Sequence, residues 1–345
     1  MSQQERIPPA VAATEDAPDR AVTWHDAIEA PGGYAWWYLD ALSPEGDGLV
    51  CILFAGSVFS PRYAARVRQG ERALPTEHCA VNLALYKGGR QIAWVMAEHS
   101  GPQEFSEGRV AVGGSVMESS GGRVRVTIDE QVTPFFGHGF GRRVKGTIRM
   151  TSRAAPFAES ALSVGGRTHA WRALVPRGEV EADFPSLGVK FRGVGYHDRN
   201  HGDGRLGDAF SRWGWARRHR EDGTDVLYSV VEKDGTRRAL WASAGDDQIA
   251  TPREATPLPD GASRSARWGM RLPSRFGVTT DEGRVLHCTP TTLLEQAPFY
   301  NRFRARISDG DDSAPDTQTL GEWLDLDRFS SRWNQFLIGF KTRST

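Results

Sequence analysis

Between Gly195 and Gly202 the chain reads Gly-Tyr-His-Asp-Arg-Asn-His-Gly, and Arg-Trp-Gly-Trp follows at Arg212 to Trp215. In an extended chain, successive side chains point to opposite sides. Tyr196, Asp198 and Asn200 then share one face, and His197, Arg199 and His201 the other. A carboxyl set between a phenol and an amide, near several indoles, can serve as a proton donor when its surroundings are apolar. Desolvation disfavours the carboxylate and keeps the proton on, at about 1.4 kcal/mol per pKa unit. Such an acid can protonate an alkene, a step that water alone performs very poorly. Asp198 is therefore the expected acid.

The aromatic residues supply the other half of that chemistry. Trp36 and Tyr38 alternate in Gly-Gly-Tyr-Ala-Trp-Trp-Tyr-Leu-Asp, with Asp40 on their face, and Trp171, Trp213 and Trp215 add to them. Core packing is the commonest use of such rings. The functional use is a lined cavity for a greasy ligand, in which each ring face stabilises a passing carbocation by about 0.5 to 2 kcal/mol. Trp36, Tyr38, Trp171, Trp213, Trp215, Asn200 and His197 are the expected substrate contacts.

Other chemistries find less support. His197 and His201, with Asp198, Asp203 and His219 nearby, raise a metal site. Residues four apart on a strand lie roughly 13 Å apart, however, too far to share one ion. HExxH is missing and no cysteine lies near, so no metal is expected. GxSxG does not occur, and Gly137 to Gly141 is not followed by Gly-Lys-Ser/Thr. Gly202 to Gly207 matches GxGxxG in letters only, without βαβ surroundings. The basic run Arg212, Arg217, Arg218, His219 and Arg220 interleaves with tryptophans, but Glu221 and Asp222 follow and the charges balance at 43 and 43. It reads as a solvated strand end, and no nucleic-acid partner is expected.

The elements that position these residues are strands. The sequence holds 38 glycines and 11 tryptophans, and helical periodicity is scarce. Val81, Leu83 and Leu85 alternate up to Lys87-Gly88-Gly89, after which Ile92, Trp94 and Met96 alternate again. Val124, Val126 and Ile128 form another such run, and Lys233-Asp234-Gly235 joins two more as a hairpin. Leu49 to Val58 is nearly all apolar, as a strand buried on both sides would be. Gly113 to Gly122, Gly245 to Ser265 and Ser308 to Thr319 read as loops. The expected organisation is a disordered lead-in over 1–20 and two all-β domains over 21–180 and 181–345, the second carrying the Tyr-His-Asp string. Three separated cysteines make no disulfide framework and fit a reducing compartment. No stretch approaches the roughly 18 to 20 apolar residues of a membrane span. A cytoplasmic protein is expected, with any membrane contact peripheral and at the inner membrane.

With these residues in view, the chain resembles the carotenoid 1,2-hydratases (hydroxyneurosporene synthases), within a superfamily of lipocalin-like double barrels that also includes fungal pericyclases. The resemblance runs from about Trp24 to Arg343 and rests on five strings in family order: Gly33 to Ala41, Phe54 to Pro61, His78 to Tyr86, Gly195 to Gly202 and Leu324 to Phe329. It implies two packed lipocalin-like β-barrels and a cofactor-free hydro-lyase of carotenoid biosynthesis. Its reaction would add water across the terminal 1,2 double bond of an acyclic, lycopene- or neurosporene-like carotenoid. The family's proposed acid falls on Asp198, and its helpers on Tyr196 and Trp171. The proton passes to the alkene, a tertiary cation forms, and a water held by Tyr196 or Asn200 attacks it. An isoprenoid cyclase or pericyclase, and a non-catalytic lipid or carotenoid carrier, are the rival readings. The chain departs from the family pattern at Trp94 to His99 and at Phe135 to Phe140, which bears on substrate identity more than on reaction type.

Overall fold

The computed structural model describes residues 22–131, 142–309, 319–341 and 343–344. The departure at Phe135 to Phe140 and most of the Ser308 to Thr319 loop lie outside the described residues. Strands dominate, arranged as one large open sheet and one closed barrel. The large sheet has 13 strands. Its centre runs Cys79–Lys87, Gly48–Ala55, Tyr34–Leu42, Val189–Gly202, Arg167–Phe184 and Arg143–Ser152, all antiparallel. The barrel has eight strands, starting at Phe210–His219 and closing onto it through Thr319–Asp325.

Alternation along the strands sorts the apolar residues into three cores. Leu83, Val95, Val112, Val126 and Ile148, from distant parts of the large sheet, share one core, so the sheet curls over on itself as a half-barrel. Leu227, Phe276, Leu286, Phe303 and Trp323 fill the closed barrel. The third core lies between the two, where Tyr38, Ile52, Trp171 and Tyr196 of the sheet meet Trp213, Trp215, Tyr228 and Leu324 of the barrel. Gly48–Ala55 shows the rule plainly. Val50, Ile52 and Phe54 enter the shared core, Leu49, Cys51 and Leu53 the half-barrel, and the strand is buried throughout.

Most local expectations hold. Cys79–Lys87 and Arg90–His99 pair across Gly88 and Gly89, both at positive φ (54° and 75°), where a two-residue hairpin requires it. Gly223–Glu232 and Arg237–Gly245 pair around Gly235, at φ 91°. Three expectations need correction. Ser115–Ser120 is a strand inside the expected Gly113 to Gly122 loop, and Arg253–Pro257 is one inside Gly245 to Ser265. The boundary near Val180 falls within Arg167–Phe184, an 18-residue strand that absorbs its bend at two register shifts between Ala173 and Gly178. Its one proline, Pro176, sits at that irregularity, and Pro185 opens the turn that follows the strand. Consequently the Tyr-His-Asp string belongs to the large sheet, and the barrel begins only at Phe210.

Candidate active site

Register explains why the candidate residues meet. In antiparallel pairs, residues directly opposite one another point to the same face. Val189–Gly202 places Asp198 opposite Tyr38, Tyr196 opposite Asp40, and Asn200 opposite Trp36. On its other side Asn200 lies opposite Trp171, and Asp198 opposite Ala173. The small Ala173 leaves room beside the carboxyl. From the barrel, Trp215 is flanked in register by Tyr228 and Glu322.

Asp198 is 3 % exposed. Its Oδ2 accepts from Tyr196 Oη at 2.9 Å and Trp171 Nε1 at 3.0 Å, and its Oδ1 accepts from Asn200 Nδ2 at 2.9 Å. Asn200 Oδ1 in turn accepts from Tyr228 Oη at 3.0 Å. Burial pushes the Asp198 carboxyl well above the usual carboxylate range. The Tyr196 and Trp171 hydrogen bonds pull against that, while the charges of Glu322 and Asp40 reinforce it. Among the described residues every donor to Asp198 is neutral, and none is a cation that would hold it ionised. Oδ2 receives two donors and Oδ1 only one, which leaves Oδ1 the oxygen with room for a proton. Burial likewise raises the Tyr38, Tyr196 and Tyr228 phenols far above their ordinary value, so they remain neutral donors.

Aromatic rings box the group in. Trp215 lies 5.4 Å from both Tyr38 and Tyr196, and Trp171 lies 4.9 Å from Tyr228. Trp213 packs at 5.1 Å on Tyr228 and joins Trp36, at 6.5 Å, around His169. The structure therefore gathers Tyr196, Asp198, Asn200, Trp171, Tyr38, Trp213 and Trp215, with Trp36 at the margin. His197 does not join them. It faces the other side of the sheet, where its Nδ1 donates to the Tyr38 carbonyl at 2.7 Å and it lines a groove with Trp37 and Arg199. As a substrate contact on the Asp198 face it is corrected by the strand's own alternation. Burial holds its ring neutral, with a pKa lowered to about 4. Its neighbour in sequence reasoning, His201, bonds the Val22 carbonyl, and among the described residues no His/Cys/Asp/Glu cluster could hold a metal.

Sequence reasoning missed four groups. His169, hydrogen-bonded to Tyr34 at 2.7 Å, is kept neutral by burial, its pKa lowered to about 3. Tyr228 orients Asn200. Arg217 is not a solvated strand end. It is 0 % exposed and ion-paired with Asp40, which also accepts from Tyr38 Oη at 3.0 Å. Glu322, set between Gly321 and Trp323 in its strand, accepts from Arg302 Nε at 3.0 Å. Only its position within that strand could have flagged it.

Beyond Tyr38 and Trp215 lies a cavity of about 440 Å³ between sheet and barrel. Ile52, Trp94 and Met96 line it from the sheet, Phe299, Tyr300 and Glu322 from the barrel. Asp198 is not in its wall. Ile52 pairs with Tyr38 and Glu322 with Trp215, so this aromatic pair stands between the cavity and the acid. Trp94 and Met96 belong to the run that departs from the family pattern, and they sit in the cavity wall.

The profile of the family described as carotenoid hydratase CrtC matches residues 51–344. An acyclic carotenoid 1,2-hydratase of Thiocapsa roseopersicina is 34 % identical over 90 % of this chain and 73 % of its own. A protein of the same description from Rubrivivax gelatinosus is 35 % identical over 80 % of this chain and 65 % of its own. Among solved structures, an AttH-type protein of Nitrosomonas europaea aligns with a TM-score of 0.60 at 15 % identity, over 90 % of this chain and 98 % of its own, a likeness of fold. The chain belongs to the carotenoid hydratase family and is a hydro-lyase of that kind.

Proposed function

We propose that this protein adds water across the terminal 1,2 double bond of an acyclic, lycopene- or neurosporene-like carotenoid, with Asp198 as the acid. The observation that carries this reading is a carboxyl shut between sheet and barrel, ringed by aromatic faces, with neutral donors only. The activity named for the Thiocapsa and Rubrivivax relatives supports the choice of substrate.

The apolar body of the polyene occupies the cavity, and its end passes Tyr38 and Trp215 to reach Asp198. The carboxyl on Oδ1 gives its proton to the less substituted carbon of the double bond, and the π electrons form the new C–H bond. A tertiary cation remains, stabilised by about 0.5 to 2 kcal/mol per ring face from Trp171, Trp215 and Tyr38. The new Asp198 carboxylate and the carboxylates of Asp40 and Glu322 oppose its charge. Water placed by Asn200 and Tyr196 supplies a lone pair to the cation, and its surplus proton returns to Asp198, closing the cycle. The carbon skeleton undergoes no net oxidation or reduction, so acid and water suffice and no cofactor is invoked.

Incubation with lycopene in ¹⁸O-water tests the reading. The expected product is a tertiary alcohol carrying the labelled oxygen, and Asp198→Asn lowers kcat by roughly 10² to 10⁴-fold while the fold is kept. Near-normal turnover by that variant overturns the acid assignment. A cyclised product without label would favour a cyclase or pericyclase, and tight binding without turnover a carrier.

A further inference from the structure

At the mouth of the cavity three large apolar side chains are held out in water. Trp268 is 47 % exposed, Trp333 67 % and Phe336 55 %. Trp333 and Phe336 lie one turn apart on the helix Arg332–Lys341, with rings stacked at 5.8 Å. The same helix turns Leu337 and Ile338 into the cavity wall, and Trp268 lines that wall too. The exposed aromatics are thus continuous with the cavity lining.

Trp268 is held in place at some cost. It is the one non-glycine residue at positive φ among the described residues, at 67°, a conformation that a bulky side chain rarely adopts. Two hydrogen bonds fix its turn. Arg328 Nη2 donates to the Trp268 carbonyl at 2.8 Å, and Arg267 N donates to Gln296 Oε1 at 2.9 Å. Arg328 Nε also holds the Pro298 carbonyl at 2.8 Å, tying the turn, the cavity rim and the start of the helical segment together.

Charge around this mouth departs from the balanced chain. Gly261 to Thr280 holds four arginines and no carboxylate, and Arg328 to Gly339 holds two arginines and no carboxylate. Arg267, Arg271 and Arg332 are exposed. Aromatic rings projecting past a basic rim match the two parts of an anionic bilayer surface, its acyl boundary and its headgroups.

We propose that Trp268, Trp333 and Phe336 dock the mouth of the cavity onto an anionic lipid surface, so that an apolar chain passes from bilayer to cavity without crossing water. This rests on the reading of an insoluble polyene as substrate. The short helix lies in the interface with its rings at the acyl boundary, and Arg267, Arg271 and Arg332 face the headgroups.

Flotation with phosphatidylcholine vesicles, with and without phosphatidylglycerol, tests it, alongside turnover of detergent-dispersed lycopene. The protein floats with the anionic vesicles and weakly with neutral ones. Trp333→Ala combined with Phe336→Ala lowers the partition on the order of tenfold or more, and Arg267→Gln with Arg332→Gln on the order of tenfold for anionic vesicles only. Both double variants keep their melting temperature and their turnover in detergent, since none of the four residues lies in the cavity wall. Asp198→Asn floats like the parent protein. Equal flotation of the ring variant and the parent overturns the proposal, as does indifference to phosphatidylglycerol. So does a dimer in sedimentation that the ring variant dissociates. Absence of flotation with turnover intact sinks this proposal alone, whereas flotation without turnover sinks the catalytic reading alone.

Discussion

Asp40 and Asp198 stand on neighbouring strands of one sheet, point to the same face, and are 0 % and 3 % exposed. Their partners differ. Asp40 meets the buried guanidinium of Arg217 and the Tyr38 hydroxyl. Asp198 meets an indole, a phenol and an amide, all uncharged. The first carboxyl fastens the sheet to the barrel through an ion pair, and the second has the uncharged surroundings that the proposed acid requires. Burial alone does not separate these roles; the charge of the donor does.

The largest effect that bears on this contrast is on turnover. Asp198→Asn keeps the shape of the site and an acceptor for Tyr196 and Trp171 but removes the transferable proton, costing about 3 to 5.5 kcal/mol of transition-state stabilisation. Denaturant unfolding of the same variant should give a near-normal midpoint at neutral pH. Arg217→Met has the opposite signature. It strands Asp40 as a buried, unpaired charge and lowers unfolding free energy by about 3 to 5 kcal/mol. If Arg217→Met proves neutral for stability, the distinction between the two aspartates fails.

Stability against pH sharpens the comparison further. The folded Asp198 carboxyl binds its proton more tightly than the unfolded one, whose pKa is about 3.9. Its contribution is therefore fully present below about pH 4 and is lost as pH rises through the folded value, by up to about 1.4 kcal/mol per unit. Unfolding free energies of the parent and Asp198→Asn measured across that range should converge and then favour the variant as pH rises. Parallel curves would show an Asp198 that is already ionised. The smallest effect belongs to Tyr196→Phe. Loss of one hydrogen bond costs about 1.4 kcal/mol, roughly tenfold in kcat. Because the Tyr196 bond lowers the Asp198 pKa, its removal moves the alkaline limb of the activity profile upward.

Much of the site was legible because it follows strand alternation. Tyr196, Asp198 and Asn200 share a face by period two, and Trp36, Tyr38 and Asp40 share the facing row by the same rule. His197 was misplaced although that rule sends it across the sheet. The barrel's contribution was harder to see. Tyr228 reaches the site from the neighbouring hairpin strand Gly223–Glu232, and Glu322 only because Thr319–Asp325, distant in sequence, pairs beside Trp215. Arg217 read as solvated because its neighbours Arg218, Arg220 and Glu221 are polar. Its partner, Asp40, lies on a strand from the other sheet, and no local pattern announces such a contact. The domain boundary was missed for a related reason, since a long bulged strand carries Pro176 without ceasing to be a strand.

The seam that closes the barrel joins its first strand to its last, Trp213 beside Leu324 and Trp215 beside Glu322. Contacts between such distant segments form slowly during folding, after local hairpins are in place. An aromatic wall built on that seam exists only once the ring is complete. A chain caught halfway would leave Asp198 in contact with water, without the shut-in setting that the proposed acid requires until the final strand arrived.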